Sequence, residues 1–74
     1  MNIEYRIIVM LRYANALDSR RGLLLNEIRT YLGEREELVK EAIKKLDKEE
    51  MICFDGEKVW LSYKGFLASQ KNYS

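Results

Sequence analysis

Apolar residues recur at helical spacing over the first part of the chain. They predict a helix from Asn2, a residue that can cap it, to about Leu17. One face of this helix is expected in the core. Its residues are Ile3, Ile7, Met10, Ala14 and Leu17. The opposite face, which a solvent-exposed helix would fill with charge, is also largely apolar. Its residues are Tyr5, Ile8, Val9, Arg12 and Ala16. A helix with two apolar sides needs a second neighbour.

Two further helices are predicted in the middle of the chain. After a polar turn at residues 18–22, three leucines from Leu23 to Leu25 favour a strand too short to stand alone. Asn26 can cap a second helix that ends at Gly33. The buried side of this helix is predicted to be Ile28, Tyr31 and Leu32. The third helix, from about Arg35 to Glu50, has the clearest division into two faces. Its apolar stripe is Val39, Ala42, Ile43 and Leu46, and its polar face is Glu37, Lys40, Glu41, Lys44 and Lys48.

The apolar period changes to two after residue 51, which indicates a hairpin. Asp55-Gly56, a dipeptide typical of hairpin turns, separates two β-prone runs, Ile52 to Phe54 and Lys58 to Ser62. The inner face is predicted to be Ile52, Phe54, Val59 and Leu61, and the outer face Cys53, Lys58 and Trp60. Ser62 is expected to cap a final helix of one or two turns, in which Gly65 lets the backbone pass close to a neighbour. The residues from Lys71 to Ser74 are expected to fray.

This order of elements resembles the winged helix-turn-helix regulators of the multiple-antibiotic-resistance and arsenical-resistance repressor types, over about residues 23–67. The matching positions are Leu32-Gly33, Val39, Ala42-Ile43, Leu46, Met51-Ile52 and Leu61-Ser62-Tyr63-Lys64-Gly65, with Glu50 where those repressors usually have glycine. In size and Lys/Glu-rich composition the chain is similar to small regulators encoded by viruses and plasmids of thermophilic archaea. The resemblance implies an α+β, mostly helical domain over residues 1–74, with a three-helix core, a small antiparallel β-wing and a short C-terminal helix. It also implies that the third helix enters the DNA major groove.

Length and composition are consistent with one small domain. A chain of 74 residues has a core near the lower limit for independent stability, so a partner subunit would help it. No apolar run approaches the roughly 20 residues that span a bilayer, and the first residues lack the pattern of a signal peptide. We therefore expect a soluble protein of the cytoplasm, the host cell's if a virus or plasmid encodes it.

The residue types that support catalysis are scarce. The chain has no histidine and a single cysteine, Cys53, which removes internal disulfides, Cys/His metal sites and any histidine base. Its carboxylates lie among lysines without a Gly-rich phosphate loop or a nucleophile motif. The sequence thus predicts that the protein is not an enzyme and uses no metal or cofactor. A chain this short also leaves little room for a ligand pocket, so we predict no small-molecule effector.

Charged residues of the third helix and two loops are the candidates for DNA contact. They are Arg35, Glu36, Glu37, Lys40, Glu41 and Lys44 of the third helix, Lys58 of the hairpin, and Arg20 and Arg21 of the first turn. Cations can bind phosphates or guanine, and a glutamate can accept from cytosine N4. Two observations point the other way: the net charge is only +1, and residues 22–52 hold six basic against eight acidic residues. Acidic residues in a first turn also stabilise a helix by themselves, and the face can be a solvated, ion-paired one.

The outer side of the first helix is the candidate dimer interface. Tyr5, Ile8, Val9 and Arg12 would otherwise form an exposed apolar stripe, and Trp60 either joins them or packs under the first helix. Cys53 is interpreted as a small apolar filler. The expected function is sequence-specific binding of double-stranded DNA by a homodimeric transcription regulator. The alternative is a winged-helix protein-interaction module whose acidic third helix docks a basic partner.

Overall fold

A computed structural model describes residues 2–73 of the chain, except for the side chains of residues 71–73. Within these residues the chain forms four helices and three strands. In order they are α1 (Ile3–Tyr13), β1 (Leu23–Leu24), α2 (Leu25–Leu32), α3 (Glu36–Lys48), β2 (Ile52–Phe54), β3 (Lys58–Leu61) and α4 (Tyr63–Tyr73). The strands form one antiparallel sheet in the order β1-β3-β2. The prediction of an α+β, mostly helical domain is confirmed, and the layout is consistent with the winged-helix expectation.

Helix α1 begins as predicted and ends earlier. The Asn2 Oδ1 atom accepts a hydrogen bond from the Tyr5 amide at 2.7 Å, which confirms the cap. The helix ends at Tyr13, not near Leu17, because Asn15 adopts a left-handed φ of 58°. The chain then turns inward, and the fully buried Ala16 accepts from the Leu61 amide at 2.8 Å. Two assignments on α1 were therefore wrong: Ala14 is exposed and Ala16 is buried. The sequence also missed Leu11, which is fully buried.

Helix α2 begins earlier than predicted. Leu24 is its N-cap residue, and the Leu24 amide donates to the Glu27 carboxylate at 2.8 Å. The prediction of Asn26 as the cap is wrong, because Asn26 lies inside the first turn and its Oδ1 accepts from Arg29. The helix does end at Gly33, whose φ of 68° is the left-handed C-terminal conformation. Tyr31 was predicted to be buried but is 80% exposed, because Ile28 and Leu32 form the stripe that meets the core.

Helix α3 has the predicted faces. Its apolar stripe is buried: Val39, Ala42, Ile43 and Leu46. Its predicted polar face is exposed: Glu37, Lys40, Glu41, Lys44 and Lys48. The chain leaves α3 through Glu50, which has a left-handed φ of 62° at the position where the repressors it resembles usually have glycine.

The hairpin follows the predicted register with one exception. Residues Ile52, Val59 and Leu61 are buried, but Phe54 is 37% exposed. Phe54 is the last residue of β2, an edge strand of the sheet, so it is covered on one side only. The predicted outer residues Cys53, Lys58 and Trp60 are half-buried. Trp60 packs against the core and also approaches Gly22, on which a Cβ would lie 3.2 Å from the Trp60 ring.

Helix α4 is longer than predicted, with 11 residues instead of one or two turns. The Ser62 hydroxyl caps it as expected, since Oγ accepts from the Gly65 amide at 3.0 Å and donates to the Glu50 carbonyl at 2.6 Å. The expected fraying of Lys71 to Ser74 falls mostly outside the described residues. None of the helices in the described part of the chain combines the length and apolar character needed to cross a membrane.

The hairpin turn depends on one carboxylate. Asp55 Oδ1 accepts from the Glu57 amide at 2.9 Å and from the Lys58 amide at 2.7 Å, and Gly56 has a φ of 98°. These two amide donors lower the pKa of Asp55 below its ordinary value of 3.8, because they bind the charged form better than the neutral one.

Acidification should therefore loosen this turn. A lowered folded-state pKa means that the contribution of Asp55 to stability is complete above pH 3.8 and disappears as the pH falls through the folded value. We expect Asp55→Ala to lower the urea midpoint at neutral pH, and this loss to shrink at acid pH. Asp55→Asn is the matched control, since its amide oxygen can accept the same bonds without titrating. A deficit of Asp55→Ala that is independent of pH would contradict this account.

Candidate nucleic-acid interface

The outer face of α3, defined here as the exposed side chains of Arg35, Glu36, Glu37, Lys40, Glu41 and Lys44, is the largest group of predicted site residues that the structure brings together. Helix α3 is held by its buried stripe, which packs against α1, α2 and β2. The polar side chains therefore project from a helix whose orientation is set by the core. This matches the sequence prediction for these six residues as a shared surface.

The charges on this face differ in how far they are already paired. Lys40 Nζ lies 3.1 Å from Glu36 Oε2, an exposed pair one turn apart. The side chains of Arg35 and Lys44 form no ion pair or hydrogen bond with any described residue. The same holds for Glu37 and Glu41 within the described part of the chain. Two cations and two carboxylates thus remain available to a ligand.

The neighbouring Lys45 shows the limit of the outer face. Its Nζ lies 3.4 Å from Glu4 Oε1, so this side chain is directed toward α1. On the other flank, Arg29 of α2 lines a small cleft together with Glu36 and Lys40. Sequence reasoning missed Arg29, because nothing in the spacing along the chain shows that α2 lies beside the first turn of α3.

The loop candidates lie on the sheet side of the molecule. Gly22, which follows Arg20 and Arg21, packs against Lys58, and a Cβ on Gly22 would lie 3.1 Å from the Lys58 Cβ. The Arg21 guanidinium is paired with Asp18 at 2.9 Å, and this bond lowers the pKa of Asp18 below its ordinary value. The side chains of Arg20 and Lys58 have no ion pair among the described residues.

The predicted interface residues of α1 divide into two groups. Arg12 is engaged within the chain, since its Nη1 donates to the Ser69 hydroxyl at 2.8 Å and its guanidinium lies 4.7 Å from the centre of the Phe66 ring. Ile8, one turn earlier, is half-buried and packs against the core, as Trp60 does. The second neighbour that the sequence demanded for α1 is thus partly its own α4.

Tyr5 and Val9 belong to the other group and line a groove between α1 and α2. This α1–α2 groove encloses about 650 Å³ and is bordered by Tyr5, Val9, Tyr13, Leu23, Tyr31 and Leu32. The sequence left little room for a pocket in so short a chain, and the groove supplies that room. Sequence reasoning missed Tyr13 and Tyr31 as members of a surface site. Their aromatic character was visible, but the packing of α1 beside α2 was not.

Among the described residues, no three Cys, Asp or Glu side chains are grouped so that they could hold a metal ion. No protein-family model, no curated protein and no solved structure matches this chain. The site is therefore interpreted from its own geometry and chemistry.

Proposed function

We propose that the protein is a winged-helix transcription regulator that binds double-stranded DNA as a homodimer. In this proposal α3 enters the major groove and the β2–β3 hairpin lies on the phosphate backbone. The succession α1-β1-α2-α3-β2-β3 supports a winged-helix layout. The observation that carries the proposal is the pair of unpaired cations, Arg35 and Lys44, on the outer face of a helix anchored by the core.

The spacing of these cations suits a duplex. Arg35 and Lys44 are separated by nine residues, which is about 13 Å along a helix axis. The major groove is about 12 Å wide, so cations at the two ends of the exposed surface can reach phosphates on both sides of it. Lys58 and Arg20 add phosphate contacts from the hairpin side, whereas Arg21 would first have to leave Asp18.

The glutamates of the outer face divide into two roles. Glu36 lies in the first turn of α3 and pairs with Lys40, so it stabilises the helix. An exposed pair of this kind contributes only about 0.3 to 0.5 kcal/mol, so Lys40 can exchange it for a phosphate at little cost. Glu37 and Glu41 are one turn apart without partners and can accept from cytosine N4. Such a contact would give specificity and no net attraction.

A protein-interaction module is the second candidate, and the same two glutamates favour it. Glu37 and Glu41 are exposed without a cation beside them among the described residues, and the outer face of α3 carries three basic and three acidic residues. A basic partner could dock on this surface without any nucleic acid.

A salt titration separates the two functions. Fluorescence anisotropy with a labelled duplex of mixed sequence should show binding at low salt. The affinity should fall about 10³-fold or more between about 50 and 200 mM salt if a dimer contacts six or more phosphates. A duplex pool selected for binding would then reveal the preferred sequence. No binding at the lowest salt would contradict the regulator and favour the interaction module.

A further inference from the structure

We propose that the α1–α2 groove is where two copies of this chain associate, with the exposed rings of Tyr13 and Tyr31 of each copy packed into the groove of the other. The inference specifies the contact surface of the proposed homodimer and does not depend on DNA binding. It assigns a role to the largest apolar concavity of the described residues and to the two most exposed aromatic side chains beside it.

The shape of this surface is self-complementary. A two-fold dimer uses the same patch on both copies, so the patch must contain both the protrusion and the recess that receives it. Tyr13 and Tyr31 are 82% and 80% exposed and stand at the border of the groove. Val9, Leu23 and Leu32 provide apolar walls between them. Protrusion and recess therefore lie on one face of one chain.

The charges in the groove also suit a like partner. Identical copies repel each other if their shared surface carries uncompensated charge. The groove is lined by one cation, Arg6, and one carboxylate, Glu27, and both are held inside the chain. Arg6 donates to the Leu32 carbonyl at 3.0 Å and pairs with Glu34 at 3.2 Å. Glu27 accepts from the Leu24 amide at 2.8 Å. Neither presents a free charge to a second copy.

The area favours a second copy over a small molecule. Two buried tyrosines account for about 300 to 400 Å² on each copy, roughly half of the ~800 Å² per partner that a stable interface uses. The groove walls and the neighbouring Leu24, which is 41% exposed, extend this patch. A small ligand could fill the cavity but would leave both rings in water.

This surface differs from the one that the sequence suggested. The sequence placed the dimer contact on a stripe that includes Ile8, Arg12 and Trp60, and all three make contacts within the chain. Tyr5 and Val9 of that prediction do line the groove. Helix α1 thus remains the dimer helix, with its contact surface on the side of α2 and not on the side of α4.

Sedimentation equilibrium of the full chain without DNA tests the proposal. Wild-type protein should associate to dimers as its concentration rises. Tyr13→Lys/Tyr31→Lys should weaken association by at least about 100-fold, since central aromatic residues carry most of an interface's energy. Both lysines fall in the last turn of a helix, where a cation is favourable. Tyr63→Lys is the matched control, because Tyr63 is 77% exposed and lies outside the groove. It should leave the dissociation constant unchanged.

Single Tyr31→Ala, which adds no charge, provides a second reading and should weaken association by about 30-fold. Circular dichroism on each variant verifies that the helices are retained. A wild-type chain that stays monomeric at all concentrations would overturn the proposal, as would a dimer that survives the double substitution. DNA titration of the same samples keeps the two proposals apart. A monomer that binds DNA removes the groove dimer alone, and a dimer without DNA affinity removes the regulator alone.

Discussion

Replacing Gly65 with alanine should destabilise the protein by about 3 kcal/mol, the largest effect on stability that we expect from a single methyl group. A Cβ at this position would overlap the carbonyl oxygen of Met51, a backbone atom that cannot rotate away. That carbonyl also accepts the Ser62 amide at 3.2 Å. Moving it would disturb both the start of β2 and the cap of α4. Because domains of this size have only about 4 to 11 kcal/mol of total stability, the urea midpoint should fall sharply.

Gly33→Asn is the control for the Gly65 prediction. Gly33 has a φ of 68° with open space where its Cβ would lie, and asparagine tolerates this conformation, so we expect a loss below about 1 kcal/mol. Unfolding of both variants, followed by circular dichroism in urea, gives the comparison. If Gly65→Ala unfolded at the wild-type midpoint, α4 would not cross the backbone of Met51 as closely as the structure has it.

Removing the two unpaired cations of α3 should have the largest effect on DNA affinity. Arg35→Gln/Lys44→Gln is expected to weaken duplex binding by about 100-fold, which is about 1.4 kcal/mol for each lost contact. The dependence of log affinity on log salt should also become shallower by about 0.9 for each lost phosphate contact. Anisotropy titrations at several salt concentrations measure both quantities.

A control of equal charge separates contact from long-range attraction. Lys45→Gln/Lys64→Gln removes the same two charges, but Lys45 is directed toward Glu4 and Lys64 donates to the Glu49 carbonyl at 3.0 Å. This variant should remain within about threefold of wild-type affinity, since distant exposed charges are largely screened. Equal losses in the two variants would mean that net charge alone attracts DNA. Full affinity in Arg35→Gln/Lys44→Gln would remove α3 as the interface.

Local pattern was enough to predict much of the candidate site. The outer face of α3 follows from the 3.6-residue period, because the buried stripe that includes Val39 and Leu46 dictates which residues are left outside. The close approach at Gly65 was also predicted, from a glycine that follows a capping serine. These features depend on residues within a few positions of each other, whose relative placement a helix or hairpin sets by itself.

The errors arose where distant segments meet. Tyr31 has the spacing of a buried residue, yet it stands at the border of the α1–α2 groove because Ile28 and Leu32 already fill the contact with the core. Arg12 lies on a helix face that seemed free, but its partner Ser69 is 57 residues away. No local spacing encodes such a contact.

By itself, the sequence determined the kind and order of the elements, the two faces of α3 and the caps at Asn2 and Ser62. All of these follow from backbone geometry and the period of apolar residues. Only the tertiary structure decided where α1 stops, which side of α1 receives α4, and that α1 and α2 leave a groove between them. The reason is that burial is a competition among all segments for one core. Its outcome depends on which side chains fill the space first, and not on the period of any one helix.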